Sequence, residues 1–549
     1  MDNLATKGLL EPLRAYLASG RPYFGICIGM QVLFAASTEH SDQTGPIPGL
    51  GVIPCTIDRF STDDNKSVPH IGWNRAQRLR PSTDGYGSEQ GRDVIDLNDD
   101  RSYYFVHSYR AAYEPDSALR DWTFTTTQYG QEVFVSSVAH ANILAVQFHP
   151  EKSGPAGLSL LDSWVKAPIQ TLSSLDNTSS SPLSPAPKTR VERPPAARDG
   201  LAKRIVACMD VRTNDEGDLV VTKGDQYDVR EKVSSTTTTN TQATVAVKTG
   251  GAVRNLGKPV QLASKYYSAG ADELCLLNIT SFRSSPLQDQ PMLAVVRAAA
   301  NEVFVPLTIG GGIKDTVDPD GTEHSALEVA GAYFRAGADK VSIGSEAVWN
   351  VEELLKNDAL LLQQKGAERD SEISLPIRKK TGIESIANAY GSQAVVVSID
   401  PRRVYVDPTT YNEPYKSELV HGKLGEEEEG KAWWYQCTVS GGRESRPLSV
   451  VQLAQGVERL GAGELLINSI DRDGTGKGFD HDLINLIKDS VKIPVIASSG
   501  AGSEKHFVNV FRETKAEAAL AAGIFHRGEV EIQEVKKVLA NSAITTRQL

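Results

Sequence analysis

The sequence predicts two α/β domains in series. The first, residues 1–165, is a sheet domain built around a strand-to-helix elbow; the second, residues 201–549, is a (β/α)8 TIM barrel made of two similar half barrels. Three observations carry this. The stretch PYFGICIGMQVLF, residues 22–34, sets a cysteine between two glycines with an apolar run on each side. Residues 166–200, KAPIQTLSSLDNTSSSPLSPAPKTRVERPPAARDG, are rich in Ser and Pro and hold little to bury, so they read as a flexible tether. Beyond them short apolar strands alternate with helical stretches, and the first half of this pattern recurs in the second.

Bulk properties fit that division. A chain of 549 residues needs two or more cores, and 40% hydrophobic with 23% charged residues is the composition of a globular protein. A formal charge of -11 argues against nucleic acid as a partner. No apolar run is long enough to cross a membrane, and residues 1–20 lack the basic start and apolar block of a signal peptide, so a cytoplasmic location without a membrane partner is expected. Cys27, Cys55, Cys208, Cys275 and Cys437 form neither a CxxC motif nor a disulfide framework. Any special role belongs to one cysteine acting alone, and neither a metal site nor a cofactor is expected.

In the first domain PYFGI reads as a buried strand and GMQVLFAAS as a helix, which puts Cys27 on the turn between them. Glycines there permit a strained turn that holds the thiol out, and a helix N-terminus favours the thiolate. A free cysteine among apolar residues can equally be packing, and the elbow alone leaves both readings open. ILAVQFHPEKS, residues 143–153, reads as a strand running to Glu151; in extended chain His149 and Glu151 project to one side, a base and its orienting carboxylate.

GICIGMQ followed by QFHPEKSG resembles the class I glutamine amidotransferases, and YFVHSY (residues 104–109) with HIGWN (residues 70–74) resembles the branch of histidine biosynthesis. The resemblance implies that Cys27 attacks the glutamine amide, His149 shuttles protons and Glu151 fixes the imidazole. It also implies that the Ile28 N–H binds the oxyanion and that Gln31 helps to hold glutamine. Members carry a further strand and a glycine-rich oxyanion turn ahead of the cysteine strand, whereas here one helix-like segment, residues 9–18, precedes the elbow. The domain therefore reads as incomplete at its N-terminus, with an ammonia-dependent cyclase carrying an inactive glutaminase as the alternative.

In the second domain RIVACMDVR parallels AVVVSIDPR, GADELCLLNIT parallels GAGELLINSID, and PLTIGGGIK parallels PVIASSGAG, at a nearly constant offset. Asp210 and Asp400 then end opposed strands at the barrel mouth, and the glycine runs at residues 310–312 and 499–502 offer backbone N–H groups to a phosphate at each end of the substrate. Residues 231–247 and 408–431 read as inserted surface loops. This half resembles the cyclase barrel of the imidazole glycerol phosphate synthase family, and the whole resembles the fused form found in fungi and plants. The resemblance implies Asp210 and Asp400 as the acid/base pair and Lys223 as a mobile lysine closing over the substrate. Gly312, Ser345, Gly500, Gly502 and Gly523 would hold the phosphates, Ser469 and Asp471 would line the pocket, and Asn278 would bind substrate. Arg204, Glu273, Lys340 and Glu464 would form a charged ring at the barrel floor that gates ammonia. Small molecules are then the substrates, with the glutaminase docked on its own barrel in a monomer. A phosphosugar isomerase of the sister barrel family is the remaining alternative, against which the fusion and IDRDGTGKG speak.

Overall fold

The computed structural model describes residues 1–39, 45–64, 66–79, 95–173, 175, 200–213, 219–222, 258–279, 287, 290–366, 379–412, 414–425 and 427–548. Lys223, the insert at 231–247 and most of the tether lie outside the described residues. The chain forms two compact units, Met1–Arg204 with Lys492–Pro494 and Leu539–Leu549, and Ile205–Val491 with Val495–Val538.

The first unit is organised by strands β1 (Tyr23–Ile26), β2 (Thr123–Tyr129), β3 (Glu132–His140) and β4 (Ile143–Val146). The sheet runs β1, β4, β3, β2 and then Gln77–Arg78; β1 lies parallel to β4 and the remaining pairs are antiparallel. The run ILAV is continuously apolar because both faces of β4 are covered. Leu144 and Val146 enter one core with Phe105, Phe134 and Phe148, while Ile143 and Ala145 enter another with Met30, Leu33 and Phe34. Parallel pairing of Ile26 with Val146 brings the ends of β1 and β4 together, which puts Cys27 and Gln147 at the same end of the sheet.

Two local expectations change. GMQVLFAAS is not one helix: the helix is Ile28–Gln31 and the chain turns into a strand at Phe34–Ser37, paired parallel to Ile53–Arg59. Phe34 is fully buried there, and a short apolar run with Val and Phe packs as readily in a sheet as in a helix. The start of the tether is also ordered, since Ile169–Leu172 is helical with Leu172 in the core.

The second unit is a closed barrel of eight parallel strands: β5 (Arg204–Thr213), β6 (Glu273–Asn278), β7 (Leu307–Gly310), β8 (Lys340–Ile343), β9 (Val395–Ile399), β10 (Glu464–Asn468), β11 (Val495–Ser498) and β12 (Ala518–Ala521). Each pairs with the next, and β12 pairs back with β5. Val206, Cys208, Cys275, Val396, Leu466 and Ile496 form one interior cluster. Strand alternation from these residues turns Asp210, Ser398 and Asn468 inward as well. Helices between the strands start with capping boxes at Ser325, Thr381 and Ser449, each closed by a Glu or Gln three residues on. Residues 408–431, expected as a loop, contribute a strand at Val420–His421 to an antiparallel sheet with Pro401–Val406, Ala432–Val439 and Glu444–Ser449. Aromatic packing explains the order: the Tyr415 ring lies 4.3 Å from that of Trp434.

Candidate active sites

In the first unit Cys27 has φ +50° and ψ -103°, a strained conformation for a residue with a Cβ, and it caps the helical turn Ile28–Gln31. The turn is held by Cys27 N–H donating to the Val146 carbonyl at 2.8 Å and by the Cys27 carbonyl accepting from Met30 and Gln31. Gly25 is required, because a Cβ there would stand 2.5 Å from the Gly29 oxygen. The sulfur sits at the start of a helical turn whose first N–H groups, including that of Ile28, have no carbonyl four residues back to bond.

His149 and Glu151 meet, though not as consecutive strand residues. The strand stops at Val146, and a 3-10 turn, Pro150–Lys152, folds Glu151 back so that its Oε1 accepts from His149 Nδ1 at 2.7 Å. Ser153 fixes the turn: its hydroxyl donates to the His149 carbonyl and accepts from the Tyr104 N–H. Burial opposes charge on His149, but the Cys27 sulfur, within hydrogen-bonding reach, and Glu151 outweigh it and push the imidazole up to about 10. For Glu151, burial raises the carboxyl while the His149 hydrogen bond and charge lower it, and the balance falls below the ordinary value. Cys27, His149 and Glu151 therefore form one line, with the imidazolium of His149 held between the sulfur and the carboxylate.

Gln31 stands beside this line, with Nε2 donating to the Tyr109 carbonyl at 3.0 Å and to Gln147 Oε1 at 2.9 Å. HIGWN and YFVHSY, which carried the finer resemblance, pair with each other in register, His70 opposite His107.

In the second unit β5 and β9 are the first and fifth of eight strands, so Asp210, in the C-terminal half of β5, and Asp400, just past β9, stand on opposed strands toward the C-terminal mouth. A cavity of about 650 Å³ opens there, and Asp210, Gly500, Gly502 and Gly523 line it together with Thr222, Asp473 and His526. Asp400 Oδ1 accepts from Asn468 Nδ2 at 2.8 Å. Gly500 has φ +92°, and a Cβ on it would stand 2.2 Å from the Gly478 oxygen. Gly312 has φ +78° and open space where a Cβ would be.

Several predicted residues have hydrogen-bond partners within the protein. Ser469 Oγ donates to Asp480, Asp471 accepts from the Arg403 N–H, and Ser345 Oγ accepts from the Ser440 N–H. Asn278 follows the inward Leu277 and so turns the other way, where it bonds the Tyr333 hydroxyl; the Gly502 N–H donates to His506 Nδ1. At the other end of the barrel Lys340 Nζ lies 2.6 Å from both Glu273 and Glu464, all three buried. Arg204, also buried, begins β5.

A family model of class I glutamine amidotransferases matches residues 2–167, and one described as histidine biosynthesis protein matches twice, over 204–358 and 355–531. Across its whole length the chain is 48% identical to the imidazole glycerol phosphate synthase hisHF of Emericella nidulans, covering 89% of that protein. It is 49% identical to the chloroplastic enzyme of that name from Arabidopsis thaliana, covering 81%. The chain belongs to the imidazole glycerol phosphate synthase family. As such it is an enzyme of histidine biosynthesis, an amidotransferase domain followed by a barrel. Subunit HisF of the synthase from Haloarcula marismortui aligns with the barrel part, at 37% identity over 347 residues, 63% of this chain and 99% of that subunit. The double match of the histidine-biosynthesis model agrees with the half-barrel repeat, and the sister isomerase is not what the full-length relatives are named. Since the plant synthase is chloroplastic, the family is not confined to the cytoplasm.

Proposed function

We propose that this synthase hydrolyses glutamine at Cys27 and uses the ammonia in the barrel. There it converts the bisphosphate nucleotide intermediate PRFAR to imidazole glycerol phosphate and an aminoimidazole carboxamide ribotide. The observation that carries the reading is the line of Cys27, His149 and Glu151 on the same chain as a barrel cavity lined by Asp210. The Cys27 thiolate attacks the amide carbon, and the N–H of Ile28 faces the developing oxyanion. Imidazolium at His149 protonates the departing ammonia, then as a base draws a proton from the water that cleaves the thioester to glutamate. In the barrel Asp210 and Asp400 act as the acid/base pair, Asp400 held by Asn468, and Gly312, Gly500 and Gly523 are places where backbone approaches the two phosphates.

Ammonia entry by the charged floor belongs to the same reading. Lys340 bracketed by Glu273 and Glu464, with Arg204 at the head of β5, would gate it, the glutaminase docking on its own barrel so that a monomer is the working unit. Product analysis tests the whole: the purified chain with glutamine and the bisphosphate nucleotide should release one glutamate per imidazole glycerol phosphate. Glutamate release without imidazole formation overturns the coupled reading.

A further inference from the structure

Besides the half-buried His149, Cys27 has a fully buried neighbour. Gln147 is fully buried, and its Nε2 donates to the Cys27 sulfur at 3.6 Å. A buried amide is tolerated where its bonds are made, and here the bonds also decide which end faces the thiol.

The orientation follows from the Tyr109 carbonyl, which can only accept. It receives His107 Nδ1 at 2.8 Å and Gln31 Nε2 at 3.0 Å, so both groups present N–H to it. Burial, followed by the nearby charges of His149 and Arg110, outweighs the bond to Tyr109 and lowers His107 to about 3, so the ring is neutral. Its proton then sits on Nδ1, and Nε2 accepts from His70 Nδ1 at 3.0 Å. Gln31 spends its other N–H on Gln147 Oε1 at 2.9 Å. With its oxygen committed, Gln147 turns its nitrogen to the sulfur. A flipped amide would set two nitrogens against each other and a carbonyl oxygen against the thiolate.

We propose that Gln147 is a positioning residue of the glutaminase reaction: its N–H, oriented through Gln31 and the Tyr109 carbonyl, bonds the Cys27 sulfur and favours the thiolate over the thiol. The inference rests on the reading of Cys27 as the nucleophile. An N–H donor strengthens its bond when the acceptor becomes charged, so it lowers the energy of the anion more than that of the neutral thiol. Gln31 thereby gains a task in addition to any contact with glutamine, since it sets the amide that sets the thiolate.

The test is the pH profile of Cys27 alkylation by iodoacetamide in the full chain, with Cys27→Ala as the blank for the other four cysteines. Gln147→Met keeps the unbranched shape and removes the donor, and should move the midpoint up by about one pH unit. Gln147→Glu places a carboxylate against the sulfur and should move it further, with glutamine hydrolysis down about tenfold or more in both variants and ammonia-driven synthesis retained. Near-isosteric Gln147→Glu, checked by its thermal melt, carries the test should Gln147→Met fold poorly. Profiles that superimpose on the wild type, even with hydrolysis reduced, overturn the proposal and leave Gln147 a packing residue. Wild-type Cys27 reacting no faster than the other cysteines overturns the nucleophile reading itself, a separate failure.

Discussion

His149 Nδ1 bonds Glu151 Oε1 at 2.7 Å while the same imidazole reaches the Cys27 sulfur, so one ring links the carboxylate to the thiol side chain. Histidine ordinarily loses its proton near 6.5, and this one keeps it to about 10. Its folded value is raised, so its contribution to stability is full below pH 6.5, declines as pH rises, and is gone above about 10. Glu151 has a depressed folded value, and its contribution, present above its ordinary 4.5, is lost as pH falls through that depressed value. Glutamate release measured against pH should accordingly stay high through neutrality and fall on the alkaline side near pH 10. An acid limb at 6.5, the mark of an ordinary histidine base, contradicts the raised value of His149.

Asn468 bears on the reaction proposed for the barrel. Its Nδ2 bonds Asp400 Oδ1 at 2.8 Å and Ser398 Oγ at 2.9 Å. Loss of a hydrogen bond to a charged group costs about 1.5–3 kcal/mol, so Asn468→Leu should slow synthesis about tenfold or more. The loss should be equal with glutamine and with ammonium salts, and basal glutamate release should stay unchanged. A loss confined to the glutamine reaction argues against a cyclase role for Asp400.

Lys340 stands between two carboxylates at the barrel floor. Lys340→Met leaves Glu273 and Glu464 buried without their shared cation, a loss of about 3–5 kcal/mol for a broken buried pair, visible as a lower barrel melting temperature. Under conditions where the variant remains folded, glutamine-driven synthesis should fall more than ammonia-driven synthesis. Equal effects on both remove the gate and leave an ion-pair plug.

Much of this was legible because it is local or repeated. QFHPEKS carries His149 and Glu151 within three residues, and the half-barrel repeat lifts Asp210 and Asp400 out of the background of strand-end aspartates. What escaped depends on contacts far apart in sequence. Gln147 sits inside the quoted motif, yet its role comes from Gln31, 116 residues away, and Gln31 is oriented by Tyr109, 78 residues away. Asn468 was readable in principle, since alternation from Leu466 turns it inward. Asn278, one residue past the inward Leu277, turns the other way, and only the resemblance gives it a place at the substrate. The strand Phe34–Ser37 reads as helix from sequence alone because its partner, Ile53–Arg59, is what decides between two packings open to a short apolar run.

The most direct measurement is imidazole glycerol phosphate synthesis by the purified chain, glutamine and ammonium salts run in parallel, for the wild type and Cys27→Ala. Turnover from both nitrogen sources in the wild type, with only the glutamine reaction lost in Cys27→Ala, is the predicted result. Turnover from ammonia alone in the wild type, or a glutamine reaction that survives Cys27→Ala, contradicts the account.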